Sequence, residues 1–238
     1  MKMKTNISKK DERYSVKFRS EYPYVIICEG VDEYYFLLAY LDYLEQNDES
    51  YIDCHNVIDF GGITDVSQGL KNIKMYPKYE DMKGFLIIRD AEKDAKAAID
   101  SVKYHVKQVW GLDLDDGGKI KVSDDGMKVG FYLLPGMNTE GKYENGTLED
   151  LCFEIIDSCS ENGAAEAILS RTEKYLGELR EFRGKQFNQP HKNRLHLYLS
   201  STDSYVGAKV GEATRWGAFD LSSSKLDPLR KLILQMQG

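Results

Sequence analysis

Tyr24 to Cys28 reads YVIIC, an unbroken apolar run of the kind found in strands covered on both faces. Behind it Tyr34, Leu37, Leu38, Leu41 and Leu44 recur at helical spacing. The alternation repeats: Asn56 to Phe60 (NVIDF) predicts a strand, Gly61-Gly62 a turn, and Val66, Leu70 and Ile73 the stripe of a short helix. Gly84 to Arg89 (GFLIIR) predicts a third strand, and Ala95, Ala98, Ile99, Val102, Val106 and Val109 a third helix. Strands alternating with helices imply a parallel sheet joined by right-handed crossovers. Lys119 to Val122, the turn Asp124-Asp125-Gly126, and Lys128 to Leu134 (KVGFYLL) predict a hairpin whose second strand joins that sheet.

A helix over Leu148 to Ile156 follows. Beyond it Ala164 to Phe182 is helical in pattern, and Pro190 opens another helix. Asp227-Pro228 supplies an N-cap and an N1 proline for a last helix with Leu229, Ile233 and Met236 inward. The expected organisation is a lead-in over 1–22, an α/β core over 23–160, and a mostly helical C-terminal extension over 161–238 packed on that core. The fold class is α/β, an open and mostly parallel sheet flanked by helices.

At 238 residues the chain can bury a self-sufficient core. Its apolar stretches are strand-sized rather than the ~20 residues of a membrane span. The N-terminus is basic without an apolar h-region, so a cytoplasmic protein is expected. Cys28, Cys54, Cys152 and Cys159 form no C-x-x-C pair, which argues against a zinc ribbon and favours buried free thiols. Four scattered histidines do not build an imidazole site. Any metal would be held by oxygen, favouring Mg²⁺ or Mn²⁺. A net charge of -7 gives no global attraction for nucleic acid, so such a substrate needs a local basic surface.

The acids fall where that matters. In an open parallel sheet, chemistry gathers at the carboxyl ends of the strands. Strand one ends in Glu29-Gly30-Val31-Asp32-Glu33, strand three in Asp90-Ala91-Glu92-Lys93-Asp94, and Thr147-Leu148-Glu149-Asp150 follows the hairpin. Carboxylates so close raise one another's pKa unless a cation neutralises them, and a divalent ion with oxygen ligands does so most simply. Gly30, lacking Cβ, allows a tight turn beside a ligand. Local explanations compete. Asp90 fits the N-cap of the next helix, with Glu92 favoured by its dipole. Thr147 to Asp150 has capping-box spacing with Asp in the acid position. Neither accounts for Glu29, which ends a buried strand.

E-G-x-x-[DE] after an apolar strand, then an apolar run ending in D-x-[DE] two strands later, resembles the Toprim domains of topoisomerases, primases and OLD-type nucleases. Glu29-Gly30 and Asp90-x-Glu92 fill the pattern, with Glu92 where Asp is commoner. Thr147-x-Glu149 is similar to the [ST]-x-E of the OLD-type nucleases, and Lys192 in QPHKNRLHLYLSS to their later lysine. DFGG, VGFYLLPGMN, GTLEDL and HKNRLHLYL, in this order, resemble a group of small stand-alone Toprim-like proteins. The resemblance spans about Val25 to Ser200. It implies a Toprim-like fold and Mg²⁺- or Mn²⁺-dependent phosphodiester hydrolysis of DNA or RNA. Glu29, Asp90, Glu92 and Lys192 would be catalytic, Glu29, Glu33, Asp90, Glu92 and Glu149 metal-binding, and Gly30, Asp32, Asp94, Thr147 and Asp150 supporting. It also implies a separately encoded ATPase partner and leaves a homo-oligomer open. The competing class is a catalytically silent module that binds nucleic acid or docks on an ATPase.

Three further signals bear on function. Asp113 to Asp124 has EF-hand-like acids, but Gly117 stands at loop position five and a strand follows, so a solvated hairpin approach is preferred over a calcium site. Among 16 tyrosines, Tyr34, Tyr35, Tyr40 and Tyr43 crowd one helix, where packing is a commoner use than base stacking. The segment around Arg171 and Lys174 carries Arg180, Arg183, Lys185 and Arg194, which could guide a phosphate backbone toward the acids. Glu173, Glu178 and Glu181 make a solvated helix face the equal alternative.

Overall fold

The computed structural model describes residues 22–59, 66–75, 79–158 and 164–238. Its five strands are β1 (Tyr24–Cys28), β2 (His55–Asp59), β3 (Gly84–Asp90), β4 (Lys121–Val122) and β5 (Lys128–Leu134). They form one sheet in the order β2-β1-β3-β5-β4, parallel except for the antiparallel β4–β5 pair. Helices α1 (Val31–Asn47), α2 (Val66–Ile73), α3 (Ala95–Trp110) and α4 (Leu148–Ser158) alternate with or follow the strands. Four more make up the C-terminal region: α5 (Ala164–Arg183), α6 (Pro190–Ser200), α7 (Val210–Arg215) and α8 (Asp227–Gln237).

The predicted α/β class with a helical C-terminal region holds. Strand two begins at His55, one residue before the expected start, and Phe60 and the Gly61-Gly62 turn lie outside the described residues, as do Cys159 and the 159–163 segment. Helix α7 carried no sequence signal, being too short for two turns of a stripe. Asp227 is not the N-cap of α8: a 3-10 turn over Ser224–Leu226, capped by Ser223, runs into the helix, and Leu226 holds the cap position.

The central strands β1, β3 and β5 are buried almost throughout, as their unbroken apolar runs require. A single cluster of buried side chains joins Ile26, Leu86 and Phe131 of the sheet to Leu195 of α6 and Leu229 and Ile233 of α8. Fully burying each such side chain contributes about 1.5–3 kcal/mol. Tyr40 is buried in α1, where its hydroxyl donates to the Leu226 carbonyl at 3.3 Å, in keeping with a packing role for that ring.

The chain runs from β1 outward to β2, then returns past β1 to lay down β3 on its other side. The connections therefore reverse direction between β1 and β3, the topological switch point where open α/β sheets leave a crevice beyond the strand ends. In register, Cys28 lies opposite both Asp59 and Ile88, and Asp90 opposite Leu134. Glu29 and Asp90 thus leave neighbouring strands at the same rim.

At the other end of β3, Gly84 makes room for α8. A Cβ there would lie 2.5 Å from the Lys128 carbonyl oxygen and 2.8 Å from Met236 Cε. Gly84→Ala is therefore expected to destabilise the protein by about 1–3 kcal/mol through overpacking, read as a lower urea midpoint with unchanged slope.

Candidate functional site

Glu29 and Gly30 follow β1, and Gly30 is the N-cap of α1 without a side-chain bond. Its φ of -145° is open to any residue, so the expected tight turn is not its role. The reason for glycine is space: a Cβ would lie 2.7 Å from Glu33 Oε2, because the Glu33 carboxylate folds back over this position. Asp32 and Glu33 occupy the first turn of α1, where the helix dipole favours negative charge.

Beside them Arg89, the penultimate residue of β3, brings its Nε to 3.5 Å from Glu29 Oε2. Both atoms are buried, and the contact does not meet hydrogen-bond geometry, so each is left without a hydrogen-bond partner. Burial raises the Glu29 pKa, and the charge of Glu92 adds to the rise against the opposing pull of Arg89 and Lys192. Arg89 escaped the sequence reading, although a charge inside GFLIIRD was the available signal.

Asp90 closes β3, and its Oδ1 accepts from the backbone N–H of Leu148 at 2.9 Å, at the start of α4. The N-cap of α3 is Asp94, which accepts from Ala97 N–H at 2.9 Å; Asp90 is not that cap, and the Asp94 carboxylate serves the helix rather than a ligand. Between them Glu92 adopts φ 57°, in the left-handed region that disfavours most side chains. The surroundings fix it: Glu92 and Gly146 exchange backbone hydrogen bonds of 2.8 Å each. Asn145 completes the clamp, accepting from Ala95 N–H at 2.8 Å and donating to the Lys93 carbonyl at 2.9 Å. Asn145 too was missed, since nothing in KYENG marks it as more than a loop residue.

The third stretch behaves as its spacing predicts. Asp150 Oδ2 accepts from both the Thr147 N–H and the Thr147 hydroxyl, at 2.9 and 3.1 Å. The Thr147 hydroxyl thus donates within its own turn. The other oxygen, Asp150 Oδ1, lies 2.8 Å from Nδ1 of His191, so Asp150 is not among the ligand candidates. Glu149 is 3 % exposed, and its Oε1 lies 3.9 Å from Nζ of Lys192. His191 was not singled out from the sequence, because its partner lies 41 residues upstream with no pattern linking the two.

Glu33, Glu149 and Glu29 all act electrostatically on Asp90, and Glu92 acts on Glu29. Burial is the first cause of the rise at Asp90, whose carboxyl is pushed up to about 9, with the charges of Glu33, Glu149 and Glu29 adding to it. Glu33 is pushed up to about 7, by burial first and then by Glu149 and Asp32, while its own backbone N–H and Lys192 oppose the rise. Among the described residues, no three His, Cys, Asp or Glu side chains stand as a ready-made metal-holding group. Mg²⁺ is ordinarily held by one or two carboxylates together with waters, which requires no closed cage. The donor set fits such an ion: all are hard oxygens, and Glu29 Oε2 is buried without a hydrogen-bond partner.

The basic residues are divided in their roles. Arg194 pairs through Nε with Glu173 and lies 3.9 Å over the Phe153 ring, a tie between helices that favours the structural alternative for this residue. Arg183 stacks at 4.6 Å on Phe187, and Lys185 is exposed. Arg180 lines a cavity of about 250 Å³ with Asp150, Phe187, His191 and Arg194. In the EF-hand-like stretch, Asp113 pairs with Lys107, Asp116 with Lys96 and Lys103, and Asp115 with backbone N–H groups of its own turn, so these acids are already neutralised or bonded.

A family model described as a protein of unknown function, DUF3226, matches residues 23–236. The chain belongs to the DUF3226 family. The matched span takes in the sheet, the acid-bearing rim and the C-terminal helices, so the site lies wholly within what defines DUF3226. No curated protein and no solved structure matches the chain. Among the described residues, no helix is long and apolar enough to cross a membrane.

The raised carboxyls set a pH dependence. Asp90 keeps its proton in the folded chain and loses it on unfolding, so metal-free stability falls as pH rises from the ordinary carboxylate range through about 9. Asp90→Asn in chelator is expected to raise stability at pH 8 by about 1–2 kcal/mol, roughly 2–8 °C for a chain of this size. Calorimetry should show this gain shrinking toward pH 4. A metal must displace the same protons, so calorimetric titration with Mn²⁺ in buffers of different ionisation enthalpy should register proton release, with apparent affinity climbing from about pH 6 to pH 9.

Proposed function

We propose that this DUF3226 protein is a Toprim-like, Mg²⁺- or Mn²⁺-dependent nuclease that hydrolyses phosphodiester bonds of DNA or RNA. The observation that carries the reading is the set of mutually repelling carboxylates at the switch point, with Asp90 raised to about 9 by burial and by the charges of Glu33, Glu149 and Glu29. A fold bears such repulsion when a cation offsets it, and perturbed acids in a crevice mark functional sites. One or two of Glu29, Glu33, Asp90, Glu92 and Glu149, together with waters, would hold the ion, with the others and Asp32 adding charge around it. When bound, a divalent cation supplies Lewis-acid polarisation of a phosphate and a more acidic water.

The chain's own residues do the rest. Lys192, near Glu149, offsets negative charge accumulating on the phosphate. Arg89 holds Glu29 in place. Arg180, Arg183 and Lys185 give a polyanion a local cationic approach that the net charge of -7 does not. Among the described residues Cys28, Cys54 and Cys152 are buried free thiols, which accords with a reducing compartment, and cytoplasmic location is our reading. A separately encoded ATPase is the partner expected from the OLD-type resemblance.

Purified protein with Mg²⁺ or Mn²⁺ is expected to degrade single- or double-stranded DNA or RNA in a gel assay and to stop on addition of EDTA. Glu29→Ala and Asp90→Ala should each lower the rate by roughly 10²–10³-fold or more. Wild type and variants that bind oligonucleotides equally well but cut none would replace the nuclease with a silent binding module.

A further inference from the structure

We propose that His191, oriented by Asp150, protonates the leaving oxygen of the phosphodiester; this rests on the nuclease reading above. His191 stands in the first turn of α6, and its Nδ1 lies 2.8 Å from Asp150 Oδ1. Asp150 cannot swing away, because its second oxygen is fixed by the N–H and hydroxyl of Thr147. A carboxylate accepts only, so Nδ1 is the N–H of that contact and Nε2 is the nitrogen left for a substrate. A carboxylate on the far nitrogen both sets the ring's orientation and stabilises the imidazolium that can give up a proton.

The position is tied to the acid cluster by consecutive residues. His191 meets Asp150 while Lys192, the next residue of α6, reaches Glu149, the preceding residue of α4. Lys192 also lowers the pKa of Glu29 and Glu33, so the start of α6 lies beside the acid site. On the other side lies the cavity of about 250 Å³, in which His191 joins Arg180, Arg194, Glu173 and Phe187. The charged groups that share this cavity with His191 are Asp150 from α4, Glu173 and Arg180 from α5, and Arg194 from α6. Arg180 is the guanidinium there that can meet the phosphate next along the chain, since Arg194 is tied to Glu173 and Phe153.

The step balances without another reagent. Water forms the new P–O bond and releases one proton to solvent, and the P–O bond to the sugar oxygen breaks. The Nε2–H of the imidazolium passes to that oxygen, and solvent restores the imidazolium.

A comparison of two substrates tests the idea: an oligonucleotide, whose sugar alkoxide needs a proton, and the p-nitrophenyl ester of thymidine 5′-phosphate, whose nitrophenolate does not. In Mn²⁺, His191→Gln is expected to lose about 10²-fold on the oligonucleotide, yet to stay within about 3-fold of wild type on the ester. Asp150→Asn should show the same selectivity at about 10-fold. Equal losses on both substrates, or an unchanged rate on the oligonucleotide, would overturn the role of His191 and leave the nuclease intact. A wild type inert on both would remove the nuclease reading and this inference with it.

Discussion

The constraint on which the rest turns is the partial burial of like charges where two parallel strands end. Asp90 is fixed at the end of β3 by the N–H of Leu148, so it cannot move away from Glu33, Glu149 and Glu29. Each neighbour is equally held: Glu29 by the strand it ends and by Arg89, Glu33 by its place over Gly30, Glu149 by near-complete burial. A protein that needed only stability would not keep this arrangement, since replacing a buried acid without a full partner by a neutral group is favourable. The strain is local, and the surrounding core offsets it: β1, β3 and β5 are buried almost throughout and pack against helices from both halves of the chain.

The strand order makes the arrangement possible. Placing β3 on the far side of β1 from β2 sets Glu29 and Asp90 side by side, and the hydrogen bond from Leu148 brings α4 to the same place. Helix α6 closes it from outside, with His191 and Lys192 against Asp150 and Glu149. One rim thus gathers residues from 29 to 192, all of which fall within the span matched to DUF3226.

Local pattern revealed the strands, most helices and the acids, because apolar runs and strand-end carboxylates are written in contiguous residues. Glu29 was the decisive residue, since no capping role accounts for an acid that ends a buried strand. What stayed hidden depends on partners distant in sequence. Asn145 reaches back 50 residues to Ala95, Arg89 matters only beside Glu29, and the His191–Asp150 contact spans 41. Caps were visible as motifs but not as assignments: the acid that caps α3 is Asp94, and the choice between it and Asp90 is made by where β3 ends. The short α7 and the 3-10 entry to α8 fall below the length at which periodicity can be read.

The paired backbone bonds between Glu92 and Gly146, with Asn145 bridging to Lys93 and Ala95, stitch the segment after β3 to the threshold of α4. No hinge can then operate between Asp90, Glu92 and Glu149, which form a stiff anvil. Moving α4 relative to the sheet would have to break these bonds, so the two segments shift together or not at all.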